Sequence, residues 1–141
     1  MNGRRKPPRS EVITRADGRV YLRRWRLWRG RFFSVCLHRF MAPDQSACAH
    51  DHPWPFVSLV LWGGYVEEVW PDGDSAAAER VRRGPLSLAS RGALHCHRVV
   101  SCRPGWTWTL VLTGPRCRSW GFRTRAGGWV PEERFDPAVD C

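Results

Sequence analysis

The sequence predicts an all-β fold of the sandwich, jelly-roll or barrel type, and three observations carry that expectation. From Val12 onward the chain divides into eight or so short segments rich in β-branched and aromatic residues, Gly, Pro and Asp punctuate those segments, and helical periodicity is nearly absent. The length of 141 residues fits one domain. With 43% apolar and 26% charged residues the chain can build a core, which excludes a wholly disordered or collagen-like protein.

Residues 1–10 are basic, contain prolines and lack large apolar side chains, so they read as a flexible tail ahead of a barrel domain over 11–130. Strands are expected at 19–28 and 32–40, separated by Gly30, with Phe33, Val35 and Leu37 on one face and Phe32, Ser34 and Cys36 on the other. Two apolar runs, Phe56–Trp62 and Tyr65–Trp70, meet at Gly63-Gly64 and read as strands joined or bent there. Pro71-Asp72-Gly73-Asp74 is a turn signal, and the alanine-rich stretch 75–79 is too short for a stable helix. Further strands fall at 80–83, 95–101, 106–113 and 118–123. In 106–112 the alternation sets Trp106, Trp108, Leu110 and Leu112 against Thr107, Thr109 and Val111, as in a half-buried antiparallel strand. Residues 131–141 are polar and read as a loose C-terminal tail.

Net charge is +10, but residues 1–40 hold twelve basic residues against two acidic ones, whereas eleven face eleven from residue 41 onward. The excess therefore belongs to the tail and first strands, and the rest of the chain is neutral. Lys6 is the only lysine. The interleaving of Trp25 and Trp28 with Arg23, Arg24, Arg26, Arg29 and Arg31 suits nucleic-acid stacking, and equally a strand with one tryptophan face and one arginine face.

The six cysteines, separated by 11, 47, 5, 14 and 23 residues, form no zinc-ribbon or redox motif. No apolar leader follows the basic N-terminus and no run is long enough to span a membrane, so the expectation is a cytoplasmic protein with reduced cysteines.

Four of the five histidines form two His-x-His pairs, His50-Asp51-His52 and His95-Cys96-His97. In extended chain, i and i+2 side chains share a face, so two such strands would gather three or four imidazoles around one point while Asp51 and Cys96 turn away. Neutral imidazoles bind Fe(II), Zn, Mn, Ni or Cu ions, and three protein ligands leave positions open for chemistry. His38 is offset from both pairs and reads as structural or at the surface. There is no Gly-rich phosphate loop, Gly-x-Ser-x-Gly elbow or His-Glu-x-x-His motif, which removes kinase, Rossmann dehydrogenase and common hydrolase readings.

Ala49-His50-Asp51-His52-Pro53-Trp54, followed by the Phe56–Trp62 run and Gly63-Gly64-Tyr65, resembles the first conserved motif of cupins. Gly92-Ala93-Leu94-His95 and His97-Arg98-Val99 both resemble the second. The His-Asp-His-Pro-Trp signature, the His-Arg-Val segment and the stretch from Thr109 to Phe122 are similar to small cupin-like proteins of phages and actinobacteria, over about residues 20–130. The resemblance implies a double-stranded β-helix (jelly-roll barrel) with one divalent metal, Fe(II) first, on His50, His52 and His97. His95 is a fourth ligand or a neighbour that hydrogen-bonds or shuttles a proton. Cupins usually place a glutamate four or five residues after the second histidine, where this chain has Phe56 and Val57. Glu67 and Glu68, on the next strand, are candidate acids, with solvated glutamates on a hairpin the commoner reading.

Trp54 is a candidate wall of the metal pocket, and Arg116 and Arg118 are candidates for meeting an anionic substrate. Trp62, Trp70, Trp106, Trp108 and Trp120 read mainly as packing residues. Arg98 should point away from the site. The function expected is a mononuclear metal oxygenase acting on a small or peptide-borne substrate. The alternatives are a metal-dependent isomerase or epimerase, and a non-catalytic module binding a ligand or nucleic acid through its basic N-terminal region. No membrane partner is expected, and the sequence leaves a homodimer open.

Overall fold

The computed structural model describes residues 9–15, 17–44, 47–70 and 78–141. Most of the basic tail, the turn at 71–74 and residues 75–77 lie outside the described residues. The strands are β1 (Ser10–Thr14), β2 (Val20–Arg29), β3 (Ser34–Phe40), β4 (Phe56–Trp62), β5 (Tyr65–Trp70), β6 (Glu79–Arg83), β7 (Leu88–Arg91), β8 (Cys96–Cys102), β9 (Thr107–Thr113), β10 (Gly121–Arg123) and β11 (Trp129–Pro131). Their pairing is antiparallel, in a six-stranded sheet of order β1-β2-β3-β9-β4-β7, a three-stranded sheet β6-β5-β8 and a two-stranded ribbon β10-β11. The all-β jelly roll expected from the sequence is what forms. Leu22, Phe40 and Val60 of the large sheet meet Tyr65 and Val99 of the small one in the buried core.

Gly63 and Gly64 are the corner where the chain leaves one sheet for the other, so β4 and β5 are not a hairpin. Gly63 has φ +73°, and a Cβ there would lie 2.5 Å from the Trp106 carbonyl oxygen, so only glycine fits this corner. Crossing layers at this point turns alternate β5 residues, Tyr65, Glu67 and Val69, into the interior.

In β9 it is Thr107, Thr109 and Val111 that are buried, while Trp108, Leu110 and Leu112 lie on the outer side of the large sheet. Trp62 and Trp106, expected to pack internally, are exposed. Tertiary placement explains the inversion: the Thr107 hydroxyl donates to the Gly64 carbonyl at 2.8 Å, so the threonine face closes against the corner. On β2, Arg24 and Arg26 turn inward to Glu11 of β1, whereas Arg23 and Trp25 share the outer side. The arginines thus divide between both faces.

His38 faces inward and accepts a 3.0 Å hydrogen bond from Arg24 Nε. Burial, reinforced by the Arg24 guanidinium, pushes its pKa down to about 3. The unfolded chain binds this proton near pH 6.5, so the stability contributed by neutral His38 is complete above that pH and is lost as pH falls toward 3. His38→Gln keeps an acceptor for Arg24 and is expected to reduce the pH slope of unfolding free energy by roughly one proton, about 1.4 kcal/mol per pH unit, between about pH 4 and 6. Urea titrations across that range measure it; an unchanged slope contradicts a neutral buried His38.

The C-terminal residues are tied down. Phe135 stacks on Phe122 with ring centroids 3.7 Å apart, Glu132–Arg134 form a 3-10 turn, and Pro137–Asp140 form one short helix capped by the Asp136 side chain. Cys141 is disulfide-bonded to Cys48, which corrects the expectation that every cysteine is a thiol. A separation of 93 residues hides this pair from any spacing rule. Cys36, Cys96, Cys102 and Cys117 remain thiols. Among the described residues no helix is long and apolar enough to cross a membrane.

Candidate metal centre

The segment after Cys48 runs extended between two elements without becoming a strand itself. His50 forms single bridges to His97 of β8 and Phe122 of β10, its amide donating to the His97 carbonyl at 2.9 Å and its carbonyl accepting from the His97 amide at 3.0 Å. Asp51, between the two histidines, points away from them as the alternation predicts. Its buried carboxylate accepts from the Gly121 amide at 2.7 Å, the Trp129 indole at 3.0 Å and Arg118. A fully partnered carboxylate on one side fixes the rotation of the segment, and His50 and His52 must then face the other.

The result is a compact triad. His50, His52 and His97 offer ligand nitrogens that all lie within 4.8 Å of one another, and His52 Nε2 stands 3.0 Å from His97 Nε2. Burial holds the pKa of His50 down at about 4, against the pull of Asp44. Burial and the neighbouring His97 and His50 hold that of His52 well below its ordinary value. Neutral imidazoles crowded nitrogen to nitrogen are the donor set a divalent cation takes.

Glu67, for which the sequence favours a solvated place over an acid's role, is where the structure departs most from expectation. It is 1% exposed, inside the barrel, not solvated. One carboxylate oxygen lies 2.8 Å from His97 Nδ1; the other accepts from Arg83 Nε at 2.8 Å and Arg91 Nη2 at 3.0 Å. Burial would raise its pKa, but the contacts with His97, Arg83 and Arg91 prevail and bring it to about 2. A carboxylate can only accept, so His97 carries its proton on Nδ1 and turns the Nε2 lone pair toward His52 and His50. The signal was present in the alternation of Tyr65, Glu67 and Val69, which puts a charge on the apolar side of β5. Glu68, on the other side, pairs with Arg80 and Arg98, and Arg98 faces away from the triad as expected.

Where the cupin motif would place a carboxylate, Phe56 sets its ring edge-on to His52, 4.6 Å between centroids, and 6.1 Å from His97. The donors that converge are therefore three imidazole nitrogens with one carboxylate behind them. His95 stands in the turn preceding β8, not on the strand, its amide bonded to the Gly92 carbonyl. Its ring centroid is 5.9 Å from that of His97, and it lies outside the triad. Only 5% of it is exposed, and its Nε2 is buried without a hydrogen-bond partner.

The other candidates divide. Trp54 is half-buried and Arg116 is exposed. Arg118, expected to meet a substrate, is instead occupied by Asp51, by the Ala93 carbonyl at 3.3 Å and by the Trp129 ring at 5.4 Å, and so braces the histidine segment from behind.

No protein-family model and no curated protein matches the chain. Solved structures do. A mannose-6-phosphate-isomerase-like protein of Ralstonia eutropha is 16% identical, with 74% of this chain and 92% of that one aligned at a TM-score of 0.57. The hydroxypropylphosphonic acid epoxidase of S. wedmorenis is 10% identical over 77% of this chain at a TM-score of 0.54, and this chain spans 56% of its length. KdgF of a Halomonas species is 17% identical, covering 67% and 80% at a TM-score of 0.50. At such identities the likeness defines the fold, which is the cupin jelly roll. The fold and triad together describe a cupin-type barrel with a candidate metal centre.

Proposed function

We propose that the protein is a mononuclear metal enzyme of the oxygenase type, with Fe(II) on His50, His52 and His97, acting on a small or peptide-borne substrate. The observation that carries this reading is the bond from His97 Nδ1 to buried Glu67, because it leaves Nε2 as a free donor beside two more neutral imidazoles. Such a site supplies Lewis acidity and, with iron, redox chemistry toward O2. The protein's own residues have separable parts. His50, His52 and His97 bind the ion; Glu67 orients His97; Phe56 keeps water from one side; and the unpartnered Nε2 of His95 supplies a hydrogen bond to a bound substrate. Because the ligands are all neutral, the ion keeps its full positive charge, which favours a substrate with an anionic or oxygen-donor group. Likeness to a protein whose iron form has been solved as Fe(II) HppE supports iron, and likeness to an isomerase-like protein supports the isomerase reading as second.

Elemental analysis of the purified protein is expected to find about one iron per chain, with substrate-dependent O2 uptake when candidate substrates are supplied. Stoichiometric zinc or manganese with turnover and no O2 uptake favours the isomerase; a protein that takes up no divalent metal refutes both.

A further inference from the structure

The two sheets differ in what they present to solvent. The small sheet has a polar outer side, where Glu68 pairs with Arg80 and Arg98. The large sheet does not. Its register aligns Trp25, Leu37, Leu110, Leu59 and Leu88 in one row straight across five strands. Trp28, Val35, Leu112 and Val57 form a second row. A third holds Arg23, Arg39, Trp108 and Trp62, and no carboxylate occurs in any of the three. An antiparallel sheet with a solvated outer side shows polar residues there; the outer side of this one is apolar along two of its three rows.

The exposure is large. Trp28, Trp62 and Trp106 are 57%, 59% and 65% exposed, which at 150–250 Å² per ring leaves roughly 300–450 Å² uncovered on three side chains alone. That already matches the largest apolar patch on an ordinary monomer. Adding Leu61, Leu88 and Leu112 brings the face toward the roughly 800 Å² per partner of a stable interface. Trp62, Trp106, Trp108 and Arg39 also line a shallow depression of about 470 Å³ together with Leu37, which joins the third row to the first.

We propose that this face binds a second copy of the chain, sheet against sheet, about a two-fold axis lying along the seam between β3 and β9. The third row argues for self-association. Its arginines stand on β2 and β3 and its tryptophans on β9 and β4, in mirror order about the seam. A two-fold axis there sets Arg39 of one copy against Trp108 of the other and Arg23 against Trp62, so cations meet aromatic rings and like charges stay apart. Arg39 is already preset, its Nε held by the Gly105 carbonyl at 2.8 Å and its guanidinium 5.2 Å from its own Trp108 ring. The pairing is independent of the metal, since the triad lies inside the barrel.

Sedimentation equilibrium of the full chain is the test, with Leu37→Glu as the disrupting variant and far-UV circular dichroism as the check on folding. The expected result is twice the chain mass for the wild type and a single chain mass for a folded L37E. Acrylamide quenching of wild-type tryptophan fluorescence, which needs no variant, should become stronger on dilution through the dissociation range. Arg39→Ala should weaken association about tenfold. A wild type that is monomeric at all concentrations overturns the proposal and leaves the face to a different protein. So does a dimer that L37E and R39A leave intact, since its interface then lies elsewhere.

Discussion

Glu67→Ala is expected to lower metal affinity by roughly 10- to 100-fold while leaving all three histidines in place. The carboxylate fixes which nitrogen of His97 carries the proton; without it the ring can present an N–H to the ion, or rotate. The same change strips Arg83 and Arg91 of their shared anion in a site where each side chain is mostly buried, at a cost of about 3–5 kcal/mol of stability. Glu67→Gln separates these effects. Its amide oxygen can accept from the His97 Nδ1 proton, so metal affinity should recover in part, but it carries no charge to answer two guanidiniums and stability should not. Competitive metal titration and urea unfolding read the two quantities independently. Equal metal affinity in E67A and wild type rules out an orienting role for Glu67.

The His50→Ala, His52→Ala double variant is expected to lose metal altogether, from about one ion per chain to a background level by elemental analysis. It should still fold. Both histidines sit in an extended segment held by backbone bonds from His50 to His97 and from Asp51 to Gly121, none of which needs an imidazole. Burial and crowding hold both rings neutral, so their removal relieves an unfavourable arrangement in the metal-free protein. The thermal midpoint of the metal-free variant should therefore match or exceed that of the metal-free wild type, and added metal should raise the midpoint of the wild type alone. Metal retained by the double variant would place the ion elsewhere.

Much of this site was legible in the residues. The first His-x-His pair and His97 of the second are the three histidines that the structure brings together, while His95 stands apart, and the alternation around Asp51 gives the direction of His50 and His52. Three parts were not. Periodicity in β9 separates a Trp and Leu face from a Thr and Val face but cannot say which one is buried. Hydrophobicity favours the former, and the structure buries Thr107 and Thr109 because the corner at Gly63 supplies their partners. The short strands β7 and β11 carry too few residues to show a pattern. Glu67 was misread because two apolar runs around a Gly-Gly pair look like a hairpin. Whether such a pair reverses the chain within one sheet or carries it to another depends on what lies across the turn, here the Trp106 carbonyl.

The four-residue strand β7 couples the molecule's two ends of business. On its outer side Leu88 closes the longest apolar row, and on its inner side Arg91 reaches Glu67 and, through it, His97. It is an edge strand paired to β4 alone, held besides by the Arg91–Glu67 pair and by buried Ala89. One short strand thus supplies both the end of an outward-facing apolar row and, three residues on, the guanidinium that shares Glu67 with His97.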